Sequence, residues 1–265
     1  MSGRFTKSSS AFPVCTNLWE MKLAHKAASL KDQHDRSVQF QQQAAANKIL
    51  AYDLWEPAWS CHIERRLGKP FGDGGKFVCG SDEFFQTKGC LAYSVGSHGD
   101  LSFEKAIREH FGCEIHTFDP KGNSTQYEKI ANVSGSSFHA WGLSNSSGSL
   151  GGNPLLTLGD IANRLGHAHR HIDIFKIDCE GCEYLAFDTI WSDLKSSKYS
   201  IGQIQIELHG TDFKKLKTFF DAAEGAGFVI FHKERNHWGC NGYSCVEFSL
   251  IHMQQAEEIF RHTHC

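Results

Sequence analysis

An α/β fold on a seven-stranded, mostly parallel sheet is the expectation here, and three observations lead to it. Short apolar runs alternate with helical patterns from residue 91 to about residue 226, five times over. Several of those runs stop abruptly at an acid or a glycine, as buried parallel strands do when they deliver polar groups to a cleft. Two further runs, Phe228–Lys233 and Cys245–Ile251, flank a Gly/Asn-rich loop and read as an antiparallel hairpin. The expected sheet therefore carries an antiparallel C-terminal edge strand, with helices on both faces.

The elements follow in order. Residues 1–17 are rich in Ser and Thr and read as a flexible lead-in, and residues 18–52 carry a helical pattern through Leu23, Ala27, Leu30, Val38 and Ile49. Residues 53–80, with the turn cluster Gly68-Lys69-Pro70-Phe71-Gly72-Asp73-Gly74-Gly75, read as a covering segment. Residues 1–90 thus form a helical N-terminal extension and cover, and residues 91–265 form the main domain. The strands expected there are 91–95, 113–118, 136–141, 172–178 and 202–208, followed by the hairpin. Helices are expected at 101–110, 124–131, 157–166, 183–190 and 212–226. The chain ends in His262 and His264, read as disordered.

Candidate chemistry collects at the strand ends. Gly96, Ser97 and Gly99 form a strand-to-helix turn where absent side chains let a ligand approach the backbone and the helix start offers free N–H groups. The next strand ends in Asp119-Pro120, and Asp119 lies 23 positions after Gly96. An acid at that spacing, on the neighbouring strand tip, is placed to bind ribose hydroxyls. The run Asp173-Ile174-Phe175-Lys176-Ile177-Asp178 continues into Cys179-Glu180-Gly181-Cys182-Glu183. Strand geometry starts Asp178 and Glu180 on one face, turns Cys179 toward the core, and lets Gly181 carry a tight turn. Glu207 and His209, two apart on the next strand, also share a face.

The order of these pieces resembles the class I S-adenosylmethionine (SAM) dependent methyltransferases, in particular the FkbM-like branch and its methyltransferase-like relatives. The resemblance rests on Phe118-Asp119-Pro120, on Ala140-Trp141-Gly142-Leu143-Ser144-Asn145, on Lys176 to Glu183, and on Glu207-Leu208-His209. The segment Gly72 to Cys79 resembles the segment that precedes the domain in the methyltransferase-like relatives. It implies a Rossmann-like sheet and transfer of a methyl group from SAM to an oxygen, less readily a nitrogen, of a small-molecule, sugar or peptide substrate. It places Gly96, Ser97, Gly99, Asp119, Pro120 and Asp178 against SAM, with Trp141, Gly142 and Leu143 near adenine. Asp178, Glu180 and His209 become the candidate catalytic residues. The same three could hold a divalent ion that acidifies a hydroxyl, although a polar cage is the simpler role.

Two other classes compete. A NAD-type oxidoreductase shares the glycine turn and ribose acid, but its fingerprint asks for a third glycine at position 102, where Ser102 stands. A catalytically silent SAM-binding module would have little use for intact Asp178, Glu180, Glu207 and His209.

Composition sets the outer bounds. A net charge of −3 gives no general pull toward nucleic acid, and no run of 18 apolar residues is present to span a bilayer. Met1 to Leu30 is polar without an apolar signal core, which favours a cytoplasmic setting; a secretory one follows if a signal has been removed. Ten cysteines is a high count for a reducing compartment. Cys61 with Cys79 and Cys240 with Cys245 are candidate bridges in an oxidising one, and Cys179 and Cys182 read as structural rather than zinc-binding. Asn123, Asn132 and Asn145 head Asn-x-Ser/Thr triplets, which matter only in a secretory setting. His167, His169 and His171 alternate before a strand and read as a loop rather than a metal patch.

Overall fold

In the computed structural model, which describes residues 11–121 and 124–265, a central sheet is built from seven strands. They are β3 (Leu91–Val95), β4 (Glu114–Phe118), β5 (Ser137–His139), β9 (His171–Ile177), β10 (Ser200–His209), β11 (Phe228–Arg235) and β12 (Cys245–His252). Their spatial order is β11-β12-β10-β9-β3-β4-β5. Neighbours from β10 through β5 run parallel, and β12 is antiparallel to both β10 and β11. The reversed strand therefore lies one place in from the edge, because the hairpin folds back and inserts β12 between β10 and β11. Strand order reverses at β3, where β4 lies on one side and β9 on the other, and a switch of this kind opens a cleft beyond the strand ends.

Alternation along the strands feeds two apolar layers. Tyr93, Phe118, Phe175 and Ile206 face α5 (Leu158–Arg164), α6 (Glu183–Lys195) and α7 (Phe213–Gly225). Ala92, Ile115, Ile174 and Ile251 face α2 (Asp82–Lys88), α3 (Ser102–Phe111) and α8 (Met253–His264). The remaining connection, α4 (Ser124–Ser134), leads into β5. Beyond β5 a small sheet forms from β6 (Gly142–Leu143), β7 (Gly148–Leu150) and β8 (Asn153–Leu156). The expected strand 136–141 thus breaks after His139.

The N-terminal segment packs closely on this core. Helix α1 spans Ala11–Ala46, so it begins inside the stretch expected to be a flexible lead-in. Trp19 of α1 packs on Trp59 and on Phe260 of α8, and Cys15 is bonded to Cys265. His262 and His264 accordingly lie in the last turn of α8, where His264 packs on His62 and Phe260, and are not disordered. The Tyr52 hydroxyl, with one hydrogen to share, lies 2.6 Å from the carbonyls of Leu208 within β10 and of Gly210 just past its end.

A hairpin of β1 (Glu64–Leu67) and β2 (Lys76–Cys79) follows, and β2 is held flat against the sheet by buried glutamines. Gln203 accepts from the Cys79 N–H at 2.9 Å and donates to its carbonyl at 2.6 Å. This pair imitates a strand ladder across the face of the sheet, and it satisfies polar groups that would be costly to bury alone.

All ten cysteines pair. Cys61–Cys79, Cys90–Cys113, Cys179–Cys182 and Cys240–Cys245 join Cys15–Cys265. Among the described residues no helix is long and apolar enough to cross a membrane. Asn132 is exposed and Asn145 half-buried, while Asn123 lies outside the described residues.

Candidate functional site

A cleft of about 520 Å³ opens at the C-terminal ends of β3, β4 and β9. Backbone hydrogen bonds lace those strand tips together. Gly96 N–H donates to Phe118 at 2.9 Å, Asp178 N–H to Val95 at 3.0 Å, and Asp119 N–H to His139 at 3.2 Å. At Gly96, φ is +74°, and a Cβ there would lie 1.7 Å from the Asp178 carbonyl oxygen. Only glycine lets β3 and β9 converge so closely.

Asp119 sits where the spacing suggested. It is buried at the tip of β4, and its carboxylate accepts from the backbone N–H groups of His98 and Lys121, each at 3.0 Å. The carboxylate therefore organises the turn after β3 while keeping lone pairs free toward the cleft. Ser97 lines the cleft with its hydroxyl buried and without a hydrogen-bond partner. Pro120, Gly142, Leu143, Asp178 and Glu180 also line it.

Three expected contacts fall elsewhere. Gly99 turns its α-carbon toward the Tyr127 ring instead. Trp141 packs on His139 (4.6 Å) and Phe118 and has Arg164 over its ring, so it supports the cleft wall from behind rather than lining it. His209 stands back from the cleft lining, beside α6.

The two acids of the β9 motif differ in burial but stay close. The strand ends at Ile177, and Glu180 adopts φ +59°, a left-handed conformation unusual for a non-glycine residue. Its side chain is 71% exposed, against 16% for Asp178, yet both line the cleft and their carboxylates come within 4.8 Å of each other. Cys179 and Cys182 are half-buried and bonded to each other, bordering the cleft while packing against the apolar core, as expected for Cys179. Gly181 completes the turn at φ +114°.

Behind the acids lies a buried charge cluster. Lys76 of β2, 3% exposed, pairs with Asp178 at 3.2 Å and with Glu247 of β12. Burial works against a charged lysine here, but the carboxylates of Glu247 and Asp178 outweigh it and hold the amine protonated. Burial likewise tends to raise the Asp178 carboxyl, yet Lys76 and Lys176 hold it below the usual range. Glu207 is pushed up to about 8, first by burial and then by the charges of Glu247 and Asp178. Asn236 donates to it at 2.9 Å. Lys176, the cation within the β9 apolar run, donates to the Gly96 carbonyl at 2.6 Å and so fixes the glycine turn from below.

His209 faces three carboxylates. Its Nδ1 is 3.0 Å from Glu183, and its Nε2 is 3.4 Å from Glu180 and 3.6 Å from Glu207. Burial alone would lower the ring, but the bond to Glu183 and the neighbouring acids raise it to about 9. Asp178, Glu180 and His209 do bring ligand atoms within 4.8 Å of one another. A protonated ring held by Glu183, with Asp178 already paired to Lys76, suits an ion-pair network better than a set of metal ligands.

Sequence reasoning missed Lys76, Glu247 and the fixing role of Lys176. Lys76 stands at the end of the Gly72–Gly75 turn cluster, and a lysine opening an otherwise apolar strand was the available signal. His167, His169 and His171 do not form one patch. His169 and His171 border a separate depression near Lys88 and His252, whereas His167 turns in toward Tyr93.

Most of the chain, rather than one motif, matches a known family. Residues 6–252 match the family profile described as a methyltransferase domain. The chain belongs to that methyltransferase family. Methyltransferase-like protein 24 of Homo sapiens is 29% identical over 186 residues, covering 60% of this chain and 48% of the relative. Its counterpart in Rattus norvegicus is 30% identical over 147 residues, covering 50% of this chain and 38% of the relative. The chain thus spans less than half the length of these curated relatives. Among solved structures, the fibrillarin pre-rRNA processing protein of Methanococcus jannaschii aligns with TM-score 0.42 and 11% identity, covering 63% of this chain and 67% of that one. The family assignment gives the NAD-type alternative no support.

Proposed function

We propose that this methyltransferase uses SAM, bound across the tips of β3, β4 and β9, to methylate an oxygen of a small-molecule, sugar or peptide acceptor. The observation that carries the reading is the cleft itself. A glycine turn packed on the end of β9 lies beside a buried carboxylate already oriented by two backbone N–H groups. The unpartnered Ser97 hydroxyl in that cleft marks a polar contact awaiting a ligand. Asp119 would hold the ribose, Gly142 and Leu143 the adenine, and the Gly96 turn the methionine end.

SAM supplies a methyl group on a sulfonium leaving group, so the protein need only position the acceptor and take up its proton. Such positioning is worth about 7–11 kcal/mol of barrier. Glu207 is the group best poised for the proton, because its carboxyl titrates near working pH inside the cleft. Asp178, held ionised by Lys76 and Lys176, would orient the acceptor, and Glu180 with His209 would flank it. A divalent ion is not required by this arrangement. Nitrogen acceptors are the second choice, and the FkbM-like branch is the finer family placement we propose.

The pairing of all ten cysteines supports an oxidising compartment rather than the cytoplasm. Thiol alkylation of the denatured natural protein should find free sulfhydryls only after reduction. Turnover is tested by incubating the protein with methyl-labelled SAM and metabolite, glycan and peptide fractions. Labelled product must appear with wild-type protein and, at SAM below saturation, fall about ten- to hundredfold with Asp119→Ala. Binding of SAM with no labelled product from any fraction would favour the silent module.

A further inference from the structure

We propose that Glu114, His116 and His167 form a zinc site on the flank of the sheet, separate from the methyl-transfer cleft. Glu114 and His116 lie two apart on β4 and so share a face. His167 arrives from the turn between α5 and β9. The His116 Nε2 and the His167 Nε2 are each 3.1 Å from the same Glu114 oxygen. Ligand atoms around a tetrahedral zinc with bonds of about 2.0–2.1 Å stand about 3.3 Å apart, close to the two distances to Glu114, and all three ligand atoms lie within 4.8 Å of one another.

The outer contacts are those a ligand set needs. The second nitrogen of His167 meets the buried Tyr93 hydroxyl at 2.7 Å, and that of His116 meets His139 at 2.9 Å. Each ring is thereby fixed with its Nε2 turned to the common point. Arg170 binds the other Glu114 oxygen at 2.8 Å and leaves the inner one to the ion.

Two imidazoles and one carboxylate suit zinc better than magnesium or calcium, which favour all-oxygen shells. Both histidines are buried, whereas the Glu114 side chain is 45% exposed, so the fourth position opens to water. Zinc here would pin β4 to the α5–β9 turn, three residues upstream of Asp119. It is independent of the acids at the cleft.

The test uses full-length protein stripped with chelator and titrated with zinc chloride by calorimetry. Expected is one site of micromolar or tighter affinity, weakened at least tenfold in Glu114→Gln and in His167→Gln, with SAM affinity unchanged in both. Glu114 is exposed, so its variant reports even if a buried histidine variant fails to fold. A crystal grown with zinc should show an anomalous peak about 2.1 Å from both Nε2 atoms. No zinc uptake by the wild type, or wild-type affinity in the folded Glu114→Gln protein, would overturn the site. Loss of SAM binding alone would count against the proposed function and leave this one standing.

Discussion

Replacing Asp119 gives the sharpest view of how the cleft works. Its carboxylate is buried and already accepts two backbone hydrogen bonds, from His98 and Lys121, each at 3.0 Å. Ribose hydroxyls would add hydrogen bonds to an ionised acceptor, each worth about 1.5–3 kcal/mol. At 1.4 kcal/mol per tenfold, losing one such bond weakens SAM by about ten- to hundredfold. Asp119→Ala also frees the two N–H groups and loosens the Gly96 turn, which places it at the upper end. Asp119→Asn keeps one oxygen but turns an amide nitrogen toward one of those N–H donors, so it too loses affinity, by less. Calorimetry with SAM and with its demethylated product should show the same loss for both, since they share the ribose. The reasoning fails if Asp119→Ala, folded by circular dichroism, binds SAM within about twofold of wild type.

The same cluster of residues makes three more predictions. Asp178→Asn should lower turnover by about a hundredfold with little change in SAM affinity, because the charge orients the acceptor and does not hold the cofactor. Glu180→Gln, at a largely exposed side chain, should lower it less; steady-state rates and binding measured side by side decide both, and wild-type turnover in both variants would make these acids bystanders. For Glu207, protonated below its raised pKa of about 8 and ionised above it, kcat/KM should climb as pH rises through that value, and Glu207→Gln should abolish the climb; a flat wild-type profile over that range would remove Glu207 as the base. Gly96→Ala should cost at least about 2 kcal/mol, from a left-handed φ and a Cβ driven against the Asp178 carbonyl, seen as a lowered midpoint of thermal unfolding; an unchanged midpoint would contradict the close approach.

Much of this architecture is written in local patterns. The apolar runs of β3 and β9 and the acids that end their neighbours could be read directly, because each obeys a rule of few residues. Elements fixed by distant contacts could not. Helix α8 ends in Arg261, His262 and His264, a polar terminus by composition, yet Ile259 and Phe260 bury and Cys265 is tied to Cys15, 250 positions away. Lys76 looks like an ordinary strand lysine until its acids arrive from 102 and 171 residues further on. The family resemblance places Trp141 near adenine. The strand stops at His139, and the ring folds back onto that imidazole. The exposure of Glu180 was likewise not legible, because strand alternation no longer sets burial once the backbone turns left-handed, although its carboxylate stays near Asp178.

A crystal structure with the demethylated cofactor bound would test the central claim most directly. The ribose hydroxyls should lie within hydrogen-bond distance of the Asp119 carboxylate, the adenine against Gly142 and Leu143, and the sulfur near Asp178. Cofactor bound away from the β3, β4 and β9 tips, or ribose hydroxyls held by another residue while Asp119 keeps only His98 and Lys121, would contradict it.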